Sequence, residues 1–415
     1  MKENKSLTSY LTPRALFFGV WAVIALCSVA YLIGTHGAVL DNIVYSRGTD
    51  RFMDFFNHIS YTKEESANVY AAGINACFPP FIYIMYYFLG RLIPDSAIVR
   101  YYCMETGSYA LLLYVWFSAM VAVALTLTIM KMTEKWKSGV CRIALTGIIL
   151  TSNIFIFYIL ERGNSAVIAC LFIMWAIILR DSEKKYQREL ALIMIAIAAA
   201  IKVYPAVFGL LYLFEKRWKE AVRLIIYGLI FFFVPFLFFG GFEGIRLFFS
   251  NQMSVQNMGY SGLNSIKALC RYVSNVPQTA ANILVIVYFL LAAGAAFFGR
   301  DLWKKVYLLS SIMVLCPFWS GDYTLIYFVI PLILFLVDVS DRNNLSAPDY
   351  AYAVLFAAIF SFFTITSETV SNSTGLGTIV IVEYVPVYIM SILLIIDGIS
   401  AGARKMKSQY IRKGR

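Results

Sequence analysis

The chain has 415 residues, of which 60% are hydrophobic and 14% are charged, with a mean hydropathy of +0.72. Soluble domains average about 45–50% apolar and about 25% charged residues, so this composition excludes a soluble globular protein and a disordered chain. The net charge is +11, but the basic residues cluster between apolar runs, which is typical of a membrane protein and not of a nucleic-acid-binding one.

Apolar runs of membrane-spanning length recur along the chain. A bilayer core about 30 Å thick needs roughly 20 apolar residues per helix. The first run follows basic residues as a secretion signal would, but no cleavage site follows it, so we expect a retained anchor. The predicted spans are 15–34, 108–130, 141–160, 164–180, 222–240, 279–299, 306–320, 323–338, 349–366 and 377–397.

Two shorter apolar segments, 189–201 and 203–214, are separated near Pro205 and flanked by basic residues at their other ends. Each reaches only about 20 Å at 1.5 Å per residue, so we expect a pair of half-depth helices. Broken helices of this kind are tolerated where they line a cavity. The sequence thus predicts an all-α polytopic protein of about twelve transmembrane helices in one membrane domain, 1–415.

The apolar segment 78–93 decides the topology, because a crossing helix there would move every later loop to the other side. It begins with prolines and contains an arginine, so we expect a surface helix inside a first outer loop, 35–107. Both termini and the basic loops then share one side, with 25 Lys and Arg against 10 on the other, whereas Asp and Glu divide 12 to 12. The positive-inside rule makes the first side cytoplasmic, which predicts a plasma membrane protein with an extracytoplasmic site.

The seven cysteines are scattered without a Cys-x-x-Cys pair, so the sequence indicates neither a disulfide framework nor a zinc site. No cofactor is expected, and nothing indicates a divalent metal.

The first outer loop places Asp54, Asn57 and His58 at a spacing that would share one helix face. Two interpretations are open. Asp54 and His58 form a base with its orienting partner, or half of a metal site. Alternatively, Asp54 pairs with Arg51 and His58 merely lies at the interface.

Glu161, Arg162, Gly163 and Asn164 stand at the junction of two predicted spans with almost no loop between them. A tight turn needs a glycine and tolerates polar neighbours, so a simple helical hairpin is one interpretation. The other is a ligand-binding turn, because a glutamate and an arginine at membrane depth are costly unless they are paired or contact a ligand.

Lys202 lies at the tip of the two half-helices with apolar sequence on both sides. It should face a wet cavity, where its ammonium would hold a phosphate; the alternative is a structural pair with Glu161 or Asp322. Asp322 is interpreted as the N-cap of the span that begins at Tyr323, or as a wall of the site. Arg271 ends an outer segment that either contacts phosphate or is solvated.

Several short motifs resemble, in order, those of the GT-C superfamily of membrane glycosyltransferases. The resemblance is closest to glycosyltransferase family 87, the polyprenyl-phosphate-mannose-dependent group, and runs from about residue 41 to residue 331. Two motifs are also similar to the eukaryotic first mannosyltransferase of glycolipid-anchor synthesis. The motifs are Met-Asp-Phe-Phe-Asn at 53–57, Val-Tyr at 69–70, Phe-Pro-Pro at 78–80, Glu-Arg-Gly-Asn at 161–164, Lys-Val-Tyr-Pro at 202–205 and Ser-Gly-Asp-Tyr at 320–323.

The resemblance implies a GT-C-like helical bundle with surface helices in the first outer loop and an essential acidic residue, here Asp54. It implies a sugar donor on a polyprenyl phosphate in the lipid bilayer, a glycan or glycolipid acceptor, and no nucleic acid partner. Asp54 would take the proton of the acceptor hydroxyl in an inverting displacement, with His58 beside it. Lys202, with Arg162 or Arg271, would bind the donor phosphate.

The other residues expected to contact substrate are Asn57, Glu161, Asn164, Tyr204 and Asp322. Some relatives carry a histidine near the start of a late span, where this chain has Asp322 and Tyr323. The resemblance therefore does not identify the sugar as mannose.

Two other function classes fit parts of the pattern. A transporter or flippase of lipid-linked sugars would use the same basic rim. It should, however, show paired broken helices in both related halves, whereas the sequence shows only one such pair, at 189–214. A polysaccharide polymerase or ligase would be expected to have large arginine-rich loops late in the chain, whereas the longest predicted loop here is the first.

Overall fold

The computed structural model of the protein describes residues 12–38, 52–94, 108–257, 265–274, 276–317, 320–342, 344–361 and 381–413. Within these ranges the regular structure is entirely helical, which confirms the predicted class. The helices α1 to α16 are Pro13–Gly34, Met53–Glu64, Pro80–Gly90, Ser108–Met132, Gly139–Thr151, Ala166–Leu179, Lys185–Ile201, Leu210–Phe214, Trp218–Phe233, Gly241–Asn257, Ile266–Ser274, Gln278–Phe298, Leu302–Leu315, Val329–Asp341, Ala347–Ile359 and Ile381–Lys413.

Short non-α turns extend or join several of these helices. Four are 3₁₀ turns and one, Ile154–Glu161, is π-helical. The 3₁₀ turns are Val69–Ala72, Tyr204–Gly209, Val234–Phe238 and Asp322–Phe328.

Six helices of the described part are long and apolar enough to cross a membrane, and a bent pair of helices raises the number to seven. The chain is therefore a polytopic helical membrane protein. Within the described residues each of the twelve predicted spans overlaps helical structure, but several of these helices are short, and parts of the spans 306–320, 349–366 and 377–397 lie outside the described ranges. The six long helices are Pro13–Gly34, Tyr109–Met132, Trp218–Phe238, Gln278–Phe298, Asp322–Asp341 and Tyr384–Ser408.

The segment 141–160 is not the single straight span that hydropathy predicts. Helix α5 ends at Thr151, and the π-helical segment that follows is inclined to it by 48°. The Ser152 hydroxyl donates to the Ile149 carbonyl at 2.7 Å, and the Asn153 N–H donates to the Ser361 carbonyl at 3.2 Å. The helix breaks where the Asn153 N–H bonds to the distant Ser361 carbonyl and not to its own helix. The pattern of apolar residues does not predict that contact.

The predicted break between the two half-helices is confirmed. Helix α7 ends at Ile201, Lys202 is extended with φ −140° and ψ 128°, and the chain returns as the turn Tyr204–Gly209 and then α8. Pro205 fits this turn because the first residues of a helix need no N–H donor. Lys202 therefore lies at the tip of a helical hairpin.

The opposite end of this hairpin carries a cluster of ion pairs. Arg180, which follows α6, pairs with Asp181 at 3.0 Å and with Glu215. Arg217 pairs with Asp181 at 2.8 Å. Helix α7 has 17 residues and so separates this cluster from Lys202 by about 25 Å. The two ends of the hairpin are thus chemically distinct.

Candidate active site

Helix α2 begins directly against the turn that joins the π-helical segment to α6. The Phe52 N–H donates to the Glu161 carbonyl at 2.6 Å, and the Asp54 N–H donates to the Arg162 carbonyl at 3.1 Å. These two backbone bonds fix the first turn of α2 and place Asp54 beside Arg162. The motifs around residues 54 and 162, which are far apart in sequence, therefore form one structural unit.

The carboxylate of Asp54 contacts two side chains of that turn. Its Oδ1 lies 3.2 Å from Arg162 Nε, and its Oδ2 accepts a hydrogen bond from Asn164 Nδ2. Asn164 Oδ1 also accepts a hydrogen bond from the Ala166 N–H at 2.8 Å, where α6 begins. Burial raises the pKa of Asp54, but the charge of Arg162 and further interactions outweigh it, so the pKa lies below its usual value. The carboxylate is ionised at neutral pH.

His58 lies one helical turn after Asp54 and is 4% exposed. Its ring stacks on Tyr86 at 5.4 Å between ring centres, and its Nδ1 lies 3.2 Å from the Tyr83 hydroxyl oxygen. Burial lowers the pKa of His58 to about 3, so the imidazole is neutral at physiological pH. Within the described residues it makes no hydrogen bond to Asp54. Asn57, the residue before it, is also buried.

Lys202 reaches this region from the hairpin tip and is 4% exposed. Its Nζ lies 3.2 Å from the centre of the Phe78 ring and 5.3 Å from that of Tyr323. The Phe78 ring centre is itself 4.1 Å from that of His58, so Lys202 and α2 meet across one aromatic ring. In the described part of the chain no carboxylate lies within ion-pair distance of this Nζ. The alternative interpretation, a structural pair with Glu161 or Asp322, is therefore not met within these residues, and aromatic faces hold the ammonium.

The loop that carries Phe78 is held by a residue that the sequence did not single out. Asn251 of α10 is buried, and its Nδ2 lies 3.0 to 3.2 Å from the carbonyl oxygens of Tyr70, Gly73 and Ala76. The amide therefore fixes the backbone immediately before Phe78. The sequence did not predict this role, because one asparagine in an outer segment forms no recognisable motif.

Asp322 is not an N-cap, which was one of its two interpretations from the sequence. Gly321 occupies the N-cap position, and Asp322 is the first residue of the 3₁₀ turn. Its Oδ1 accepts a hydrogen bond from the Tyr384 hydroxyl at 3.1 Å. The N-cap prediction was wrong because the turn begins one residue earlier than the predicted span.

Three further candidates are placed as follows. Glu161 is 8% exposed, and its backbone carbonyl anchors α2. The Tyr204 ring packs edge-on against Tyr327, with 5.7 Å between the ring centres. Arg271 belongs to α11, but its side chain lies outside the described residues.

The site combines an ionised carboxylate, Asp54, with two basic side chains, Arg162 and Lys202, and an aromatic wall. Among the described residues no group of three or more His, Cys, Asp or Glu side chains is placed to hold a metal ion. A carboxylate can accept a hydroxyl proton, and buried cations can stabilise an anionic leaving group. The arrangement suits group transfer from a phosphate to a hydroxyl.

Comparison with protein-family models finds a match to glycosyltransferase family 87 over residues 76–320. This range is more than half of the chain, and it contains Arg162, Asn164, Lys202 and Arg271. It begins after Asp54. No curated protein and no solved structure matches the chain.

Proposed function

The chain belongs to glycosyltransferase family 87, and we propose that it transfers a sugar from a polyprenyl-phosphate-linked donor to a glycan or glycolipid acceptor. The reaction inverts the configuration at the anomeric carbon and takes place on the extracytoplasmic face of the plasma membrane. The observation that carries this proposal is the convergence of Asp54, Arg162 and Lys202, from three separate segments, on one buried site. Family membership also argues against the transporter hypothesis. Independently, a flippase would need no base such as Asp54.

Lys202 and Arg162 are the residues that bind the donor phosphate in this proposal. The Lys202 ammonium rests on Phe78 without a carboxylate partner in the described ranges, so its charge is available to an anion. As the bond between the anomeric carbon and the phosphate oxygen breaks, its electron pair stays on the phosphate. Buried cations stabilise this growing charge far better than they would in water.

Asp54 is the base that accepts the proton of the acceptor hydroxyl. The hydroxyl oxygen attacks the anomeric carbon opposite the leaving phosphate, which yields the inverted glycoside and free polyprenyl phosphate. The ion pair with Arg162 holds Asp54 ionised before substrate binds. A donor phosphate would compete for the same guanidinium, so donor binding would make the carboxylate more basic. Asn57 and His58, on the same stretch of α2, would contact the acceptor.

Two observations support the extracytoplasmic position. The basic residues of the sequence are concentrated in loops that include those at the end of the α7–α8 hairpin opposite to Lys202, where Arg180 and Arg217 form their ion pairs. The positive-inside rule assigns such loops to the cytoplasm. A lipid-linked donor also suits this face, because nucleotide sugars are made in the cytoplasm.

The test is a transfer assay with the purified full chain in lipid nanodiscs. Synthetic polyprenyl-phosphate mannose and glucose serve as donors, and a panel of alkyl glycosides as acceptors. We expect release of polyprenyl phosphate together with a glycoside whose anomeric configuration, read by NMR, is opposite to that of the donor. Turnover with nucleotide sugars alone, or retention of configuration, would overturn the proposal.

A further inference from the structure

A pocket lies at the end of the helices opposite to Asp54. It encloses about 520 Å³ between the α12–α13 junction and the C-terminal helix α16. Helix α13 fixes its position, because it begins at Leu302 beside the pocket and runs to Leu315, shortly before Asp322 at the site end. With 14 residues it separates the two regions by about 20 Å. The pocket is therefore not part of the site described above.

Close packing of two helices shapes this pocket. Gly398 and Gly402 of α16 are spaced four residues apart and face α12. A Cβ on Gly398 would lie 2.6 Å from the Ala295 carbonyl oxygen, and one on Gly402 would lie 2.8 Å from a ring carbon of Phe298. Small residues at this spacing allow membrane helices to approach closely. The approach brings the basic end of α16 next to the end of α12.

The two acidic residues of the pocket share one lysine. Lys304 Nζ lies 2.7 Å from Asp397 Oδ2 and 3.0 Å from Asp301 Oδ2. One ammonium thus joins the start of α13 to α16 and offsets one of the two negative charges.

The other basic side chains of the pocket are Arg300, Arg404 and Lys405. Within the described ranges none of them has a carboxylate at ion-pair distance. Four basic and two acidic side chains line the pocket, which gives it a net charge of +2, and the three unpaired cations are exposed at its rim. Such a cluster is a favourable environment for an anion, and a phosphate accepts several hydrogen bonds from these groups.

The position of the pocket indicates a ligand that is partly apolar. Both bordering helices are long and apolar enough to cross a membrane, and the pocket lies where their apolar sequence ends. On these two helices, within a few residues of the pocket lining in sequence, Phe297 is 44% exposed, Ile399 is 45% exposed and Met406 is 59% exposed. A soluble anion would make no use of this surface, whereas the acyl chains of a lipid would cover it.

We propose that this pocket binds the phosphate headgroup of an anionic phospholipid, with its acyl chains along the exposed faces of α12 and α16. Basic pockets between membrane helices are suited to such headgroups. The site is independent of sugar transfer, since it lies at the other end of the helices from Asp54.

The test measures lipid binding to the purified full chain by native mass spectrometry and by the shift in Tm. We expect phosphatidylglycerol to bind and to raise the Tm more than phosphatidylcholine does. The double variant Arg404→Gln/Lys405→Gln should lose affinity for phosphatidylglycerol by about tenfold or more. Lys184→Gln/Lys185→Gln removes the same charge from exposed positions at the start of α7 and is the matched control.

The Tm of each variant without lipid shows whether it is folded, and Arg300→Gln provides a second, single substitution in the pocket. Equal phosphatidylglycerol affinity in the pocket and control variants would overturn the proposal, as would equal stabilisation by the two lipids. Displacement of the lipid by a few millimolar inorganic phosphate would instead identify a soluble-anion site.

Discussion

Gly163 and Phe55 approach so closely that a methyl group on Gly163 would lie 2.8 Å from the Phe55 Cβ. Gly163 also has a φ of +72°, in the left-handed region that favours glycine. The first turn of α2 can dock on the neighbouring turn only because residue 163 has no side chain. The ion pair between Asp54 and Arg162 depends on that docking.

Gly163→Ala should therefore weaken both the fold and the site. Steric overlap and backbone strain each cost about 1–3 kcal/mol, so we expect a lower Tm and a loss of transfer activity. Gly147→Ala in α5 is the control, since a Cβ there meets open space and alanine favours a helix. Equal Tm values for the two variants would contradict this account of the turn.

Lys202→Met should raise the dissociation constant for the lipid-linked donor by at least about tenfold, because a charge-assisted contact to phosphate is lost. The measurement is donor titration, with Lys185→Met, which changes an exposed lysine at the other end of α7, as the control. An unchanged donor affinity would mean that Lys202 has a structural role only.

His58 gives the protein a pH-dependent stability. Its folded pKa is about 3, whereas the unfolded side chain titrates near 6.5. Between these values the unfolded chain binds a proton that the folded chain excludes, so stability falls as the pH is lowered through this window. We expect the Tm to fall between pH 6.5 and pH 4.5, and His58→Phe, which keeps an aromatic ring, to flatten the slope. An identical slope in the variant would rule out a neutral, buried His58.

Asn251→Ala should destabilise the loop before Phe78, because the carbonyl oxygens that it contacts would lose their partner. Loss of a buried hydrogen-bonding group costs about 1–3 kcal/mol, which lowers the Tm. Ser250→Ala, at an exposed position of the same helix, should leave the Tm unchanged. If donor affinity also falls in Asn251→Ala alone, the loop positions the wall against which Lys202 rests.

Much of this architecture follows from local sequence properties. Hydropathy and proline placement predicted most of the helices and the break at Lys202, and the sequence spacing of Asp54 and His58 fits helix α2. The parts that could not be predicted depend on contacts between distant segments. The bond from Asn153 to Ser361 breaks a helix, and Asn251 fixes a loop about 175 residues earlier in the chain. No local pattern records such contacts.

The role of Asp54 is tested most directly by Asp54→Asn, which keeps the size of the side chain but removes the proposed base. With saturating polyprenyl-phosphate sugar, turnover should fall by about 10²-fold or more while the Tm and donor binding are retained. Glu65→Gln, an exposed carboxylate just after α2, is the matched control and should have wild-type turnover. Turnover of Asp54→Asn equal to that of the control would contradict the assignment of the base.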